Sequence, residues 1–253
     1  MKVFCLGTTG YHPSSSRHTA CYYIPEASLV LDAGTGMHAL TSHLRNDPRD
    51  SIDIFLSHAH LDHVVGLTFL LDTLAVTSLK RVRLLGQSSK LIAVREHLFS
   101  PHLFPLLPEA IEFHALDDES LPFRLECGGQ LRWFPLEHPG GSLGLRMDIG
   151  GKSLAYVTDT VARPKADYIE QIQGVDLLMH ECYFTDRHQA LAEKTGHSWL
   201  GAVTELVRKL GLKRTALIHL NPLAEEMGEL MTLTAEQAQM GMCIPVDGQC
   251  LEF

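Results

Sequence analysis

The stretch Ser57-His58-Ala59-His60-Leu61-Asp62-His63 decides how this chain is read. It sets three imidazoles and a carboxylate directly behind the apolar run Ser51 to Leu56, which reads as a buried strand. Neutral imidazole and carboxylate are the donors that zinc and similar divalent ions take. In a turn after a strand, His58 and His60 can point one way while Asp62 and His63 point another. One such loop can therefore feed two adjacent metals. The competing reading is a polar turn with accidental histidines, a pattern that chance gives in roughly a few chains per thousand.

One loop cannot complete two metal sites, so other segments must supply donors. Three polar residues sit where an apolar strand gives way to a turn. His138 follows the strand 130–136 and precedes Pro139-Gly140-Gly141, Asp159 closes Leu154 to Val157, and His219 closes Thr215 to Ile218. Each alone reads as an ordinary strand-end residue. Their shared placement at one kind of strand edge, beside the histidine cluster, favours a common site.

Around these segments, strands are expected at 2–6, 19–24, 28–32, 51–56, 79–85, 111–115, 122–127, 130–136, 143–149, 153–158, 175–180, 214–218, 242–246 and 249–252. Helices are expected at 37–45, 64–74, 88–98, 164–172, 198–210 and 234–240. The proline-punctuated stretch 99–122 fits neither period over most of its length and reads as an irregular flap. No linker or low-complexity segment divides the chain. The pattern suits one α+β domain over residues 1–253, with a two-sheet core and helices outside.

The 253 residues carry 30 acidic against 21 basic side chains, a net charge of -9, and 15 histidines. An acidic chain lacks the clustered Lys and Arg that neutralise nucleic-acid phosphates. No apolar run approaches the ~20 residues that span a bilayer, so no membrane partner is expected. The start, Met1 to Gly7, reads as a strand rather than a signal peptide. Six scattered cysteines without a Cys-x-x-Cys spacing suggest mostly buried thiols and a cytoplasmic setting.

The ordered set of segments resembles the metallo-β-lactamase superfamily, and within it the ribonuclease Z-like phosphodiesterase branch. The resemblance runs through Leu6-Gly7-Thr8, Pro13 to Arg17, Leu31-Asp32-Ala33-Gly34, Ser57 to Leu67, His138, Thr158-Asp159-Thr160, His180-Glu181, Gly196-His197-Ser198 and Leu217-Ile218-His219. It implies a four-layer αβ/βα sandwich with a binuclear metal site at the sheet edge. Carried onto this sequence, one metal takes His58, His60 and His138. The other takes Asp62, His63 and His219, and Asp159 bridges both. Zinc is the expected metal, and manganese or iron suit the same donors. A bridging hydroxide, from water acidified to a pKa of ~7, is the implied nucleophile. The resemblance makes His197 the general acid and Glu181 the residue that orients it. Asp62, His197 and Glu181 are thus the expected catalytic residues.

The pattern also departs from the branch. Enzymes that process transfer RNA usually carry a long basic arm between the equivalents of His138 and Asp159, and here two strands fill that short interval. The expected substrate is a small phosphodiester or nucleotide, and structured RNA is not expected. The rivals are a same-fold hydrolase of thioesters, lactones or β-lactams, a ribonuclease Z acting on RNA, and a non-catalytic binding module. The resembling branch commonly dimerises, so a homodimer is among the expectations.

Overall fold

The computed structural model describes residues 1–253, the side chain of Asp118 excepted. The chain forms two compact units. The first is Met1–Ser120 with Asp247–Glu252, and the second is Leu121–Val246 with Phe253.

The strands in chain order are β1 Lys2–Gly7, β2 Cys21–Ile24, β3 Leu29–Leu31, β4 Ser51–Phe55, β5 Arg81–Gly86, β6 Ile111–Ala115, β7 Phe123–Arg124, β8 Gln130–Leu136, β9 Ser142–Ile149, β10 Lys152–Val157, β11 Leu177–Glu181, β12 Thr215–Ile218, β13 Met242–Cys243 and β14 Cys250–Glu252. In the first unit they form a mixed sheet ordered β14-β1-β2-β3-β4-β5-β6. Pairing is antiparallel from β14 to β3 and parallel from β3 to β6. Val30, Ile54, Val82 and Leu84 bury one face of this sheet against Met37, Leu40, Leu67 and Leu91 of its helical segments. At about 1.5–3 kcal/mol per fully buried large apolar side chain, such a layer dominates the unit's stability.

The second unit's sheet is ordered β13-β12-β11-β10-β9-β8-β7. It is antiparallel from β7 to β10 and parallel from β10 to β13. Its core joins Ala155, Val157, Leu178 and Leu217 to Val203, Leu206 and Val207 of the helix Leu200–Leu210. That helix ends at Gly211 in the left-handed conformation, φ 61°, as a C-terminal glycine should. Parallel strands carry their loops at their C-terminal ends, the usual place for ligand groups in such sheets. The expected site residues stand at strand ends or on segments that follow strands, except His197, which follows the helix Gln189–Thr195.

Most elements expected from the sequence are present, with differences in extent. The expected helix 37–45 divides into a 3₁₀ segment Thr35–Ala39 and the helix Leu40–Asn46, and the expected helix 88–98 ends as a π-helix over Val94–Leu98. The expected strands 122–127 and 242–246 shrink to Phe123–Arg124 and Met242–Cys243. The expected helix 64–74 is broken into Leu61–Val64, a tight 3₁₀ segment Val65–Phe69, and Leu70–Val76. Gly66 explains the tightening, since a Cβ there would meet the Gly34 carbonyl oxygen at 2.1 Å. The expected helix 164–172 shrinks to Ile169–Ile172, because Arg163 to Tyr168 folds as turns. A helix at Gln189–Thr195 lies in a stretch for which no element was expected. The cysteines divide: Cys5, Cys21 and Cys182 are buried, whereas Cys127 and Cys250 are exposed. No disulfide joins the described cysteines, and no described helix is long and apolar enough to cross a membrane. Within the flap, Phe99 is buried and Phe104 packs on the first unit's core, while Leu103, Leu106 and Leu107 are exposed.

Candidate functional site

In the first unit the histidine loop, Ser57 to His63, begins two residues beyond β4 and is organised by Asp32, which follows β3. Asp32 is fully buried and has φ 54°, a conformation rare outside glycine. Its Oδ1 accepts the Ser57 N–H (2.8 Å), and its Oδ2 accepts the Ser57 hydroxyl (2.7 Å) and the His63 Nδ1–H (2.7 Å). The Ser57 hydroxyl hydrogen is thereby committed, so toward His58 Nδ1, at 3.0 Å, Ser57 can only accept. Both His58 and His63 therefore carry their proton on Nδ1. Each keeps its Nε2 lone pair for a cation, the arrangement that outer-shell partners impose on metal-binding histidines.

Asp62 Oδ2 stands 3.2 Å from His63 Nε2. Two donors about 2.0 Å from one tetrahedral cation are separated by roughly that distance. The His60 ring is exposed and packs edge-on against His58, centroids 4.4 Å apart. Gly34 lets this loop approach β3, since a Cβ there would meet the Asp62 carbonyl oxygen at 2.2 Å.

In the second unit, Asp159 and His219 stand just beyond the C-terminal ends of the parallel strands β10 and β12. Both are left-handed, with φ 42° and 53°. Asp159 Oδ1 accepts the Thr158 hydroxyl (2.7 Å) and lies 3.3 Å from His219 Nε2. Its Oδ2 lies 3.6 Å from His138 Nε2. His138 donates Nδ1–H to the Gly196 carbonyl (3.1 Å), which again leaves Nε2 with the lone pair. Non-glycine residues in this conformation cost on the order of 1–3 kcal/mol and gather at functional sites. Asp32, Asp159 and His219 are three of the five such residues among those described.

Beside this cluster, Glu181 ends β11 with no exposed surface. Its Oε1 accepts the Thr160 N–H (2.8 Å) and the His197 Nδ1–H (3.1 Å). Its Oε2 accepts from Ser198 N–H (3.1 Å) and Tyr183 N–H (3.3 Å). The carboxylate is thus immobilised, and it immobilises His197 in turn. The His197 ring stacks on Tyr183 at 4.9 Å and on His219 at 5.5 Å. Asp159, His197 and His219 each offer a donor atom within 4.8 Å of the others. With Nδ1–H held by a carboxylate, the imidazole can lose a proton from Nε2 and keep its orientation.

His180, without an expected role of its own, is completely buried. Its Nδ1–H donates to the Glu181 carbonyl (2.7 Å), and its Nε2 accepts from the Tyr168 hydroxyl (3.0 Å). Burial lowers the His180 pKa and raises that of Tyr168. The pair ties the segment around Tyr168 to the strand end that presents Glu181.

The structure thus gathers His58, His60, Asp62 and His63 in the first unit, and His138, Asp159, His219, His197 and Glu181 in the second. The donor chemistry and the fixed tautomers suit divalent cations. Two supporting residues escaped the sequence reading. Asp32 was visible only as part of Leu31-Asp32-Ala33-Gly34, and its position between a strand and a glycine was the available signal. Tyr168 gave none, because its partner is twelve residues away on another element.

Comparison with known proteins agrees with this picture. A family model described as "Beta-lactamase superfamily domain" matches residues 28–220. Ribonuclease Z of Metallosphaera sedula is 26% identical over 274 residues, covering 91% of this chain and 92% of that protein. The crystal structure of human tRNase Z, short form, superposes with a TM-score of 0.75 at 19% identity, over 100% of this chain and 99% of the other. A diphosphatase of the PhnP family gives a TM-score of 0.70 at 19% identity, over 100% and 97%. These likenesses carry the α+β sandwich expected for the fold. With a family model spanning most of its length, the chain belongs to the β-lactamase superfamily, and it is similar to ribonuclease Z proteins and to structures of the metallo-β-lactamase fold.

Proposed function

We propose that the two units act as one metal-dependent hydrolase domain over residues 1–253 that cleaves small phosphodiesters or nucleotides. In this reading His58, His60 and His138 hold one divalent cation, Asp62, His63 and His219 hold the second, and Asp159 serves both. Bound there, the cations supply Lewis acidity toward phosphoryl oxygens and acidify a water toward a pKa of ~7. Zinc suits the donors, as do manganese and iron.

The observation that carries the phosphodiesterase reading is the buried Glu181 clamped onto His197 Nδ1 at 3.1 Å. As the water oxygen bonds to phosphorus, the bond from phosphorus to the leaving oxygen breaks. His197 gives its Nε2 proton to that oxygen, while Glu181 stabilises the imidazolium before the transfer and holds the ring throughout. Asp62 has two parts in this reading, as a donor to the second cation and as the anchor of the adjoining loop through the Tyr11 N–H (2.7 Å). The short interval between His138 and Asp159 and the net charge of -9 favour small substrates over structured RNA.

The test compares wild type with His60→Ala and Asp159→Ala. Both variants are expected to lose bound metal and hydrolysis of bis(p-nitrophenyl) phosphate. Full activity in either one overturns the assignment. The same preparations are assayed on S-lactoylglutathione, a lactone, a cephalosporin and a transfer-RNA precursor. Preference for any of these over the diester replaces the substrate class. Metal content without any turnover points to a binding module.

A further inference from the structure

The loop from Thr8 to His18, in the first unit, is built rigidly. At its stems, Thr9 N–H bonds the His18 carbonyl (3.0 Å), and Arg17 donates to Thr8 Oγ1 (2.5 Å). The Thr8 hydroxyl donates in turn to Asp247 Oδ1 (2.7 Å), whose other oxygen accepts the His18 N–H (2.5 Å). At its tip, the Tyr11 N–H is bonded to Asp62 Oδ2 at 2.7 Å. The loop is thus preorganised on one of the proposed cation-binding carboxylates.

Tyr11 itself is anomalous. It has φ 64°, where glycine or asparagine is favoured, and its side chain is 74% exposed. The residue incurs the strain of the left-handed conformation and gains almost no burial in return. The ring is nevertheless supported. It packs at 5.3 Å against the His12 ring, whose Nδ1–H is held by the Pro13 carbonyl (2.9 Å). A braced, solvent-facing aromatic within one side chain's length of Asp62 has the properties of a stacking platform.

We infer that Tyr11 is a specificity-determining residue that stacks the base of a nucleoside-bearing phosphodiester, an inference that rests on the phosphodiesterase reading above. Stacking of a remote base is binding common to ground and transition states, so its loss raises KM and leaves kcat little changed. The test measures kcat and KM for adenosine 2′,3′-cyclic phosphate and for glycerol 1,2-cyclic phosphate, which has the same reacting ring and no base. Tyr11→Ala keeps a Cβ, and so keeps the backbone preference. It is expected to lower the ratio of kcat/KM for the nucleoside over the glycerol substrate on the order of tenfold, the scale of base–aromatic stacking, through KM. Tyr11→Phe and Tyr11→Trp are expected to retain the ratio. An unchanged ratio in Tyr11→Ala, or equal losses on both substrates, overturns the platform while leaving the phosphodiesterase reading intact. Wild-type protein inert toward both diesters overturns that reading and the platform with it.

Discussion

Among single residues, Asp32 shows how a side chain outside the proposed cation-binding set can fix the protonation of two of its members. Through one carboxylate it fixes the His63 tautomer directly and that of His58 through the Ser57 hydroxyl. Asp32→Asn keeps the shape and removes the charge. With one acceptor oxygen in place of two, its NH2 group must face either the Ser57 N–H or the Ser57 hydroxyl and His63 Nδ1–H. Outer-shell changes of this kind typically weaken metal affinity 10–100-fold. The expected result is a loss of that size in a zinc titration against a chromogenic chelator, with the far-UV circular dichroism of wild type. Unaltered affinity would falsify the tautomer argument. The residues of the expected site were legible because histidines and aspartates at strand ends are conspicuous in a linear sequence. Asp32 was not, because its meaning lies in partners 25 and 31 residues away. Most of the remaining histidines keep ordinary structural company: His43 packs on Phe4 and Tyr23, His114 pairs with Glu119, and His188 pairs with Glu229.

At the level of elements, the parallel strands explain why the site residues collect where they do. β4, β10, β11 and β12 each deliver polar residues at or just beyond their C-terminal ends, and each is apolar enough to be recognised as a strand from sequence. Elements were misjudged where local preference yields to close contact, as at Gly66, or to a side-chain tether, as at Tyr168. That tether has a consequence for acid stability. His180 is buried and neutral between Tyr168 and the Glu181 backbone, with its pKa held below the ordinary 6.5 by desolvation. The unfolded chain therefore binds a proton there more readily than the folded one. The stability contribution is complete above about pH 6.5 and is lost as pH falls from there toward the lowered folded-state pKa. Urea unfolding of wild type and His180→Gln between pH 8 and pH 5 checks this. The variant is expected to start less stable by about 1–3 kcal/mol, the cost of a disrupted buried hydrogen bond. Its stability should also fall less steeply below pH 6.5. Parallel acid limbs would remove His180 from the account.

Across the whole molecule, the high histidine content and the acidic charge stop being separate oddities once metal is considered. Five histidines and two aspartates are proposed to bind cations, and those cations would place positive charge at the site within a chain of net charge -9. A metal that binds the folded state and not the unfolded one stabilises by mass action, by about 2.7 kcal/mol per site at a free concentration 100 times Kd. For chains of this size each kcal/mol moves the melting temperature by about 2–4 °C, so one saturated site is worth roughly 5–10 °C. Protein stripped with EDTA is accordingly expected to melt lower than zinc-loaded protein by at least that margin in differential scanning calorimetry. Zinc restores the difference in wild type. It restores little of it in Asp159→Ala, because that carboxylate is the donor assigned to both cations. A wild-type melting temperature indifferent to EDTA and zinc is incompatible with the proposed centre. A full zinc response in Asp159→Ala leaves cation binding in place and removes Asp159 from it.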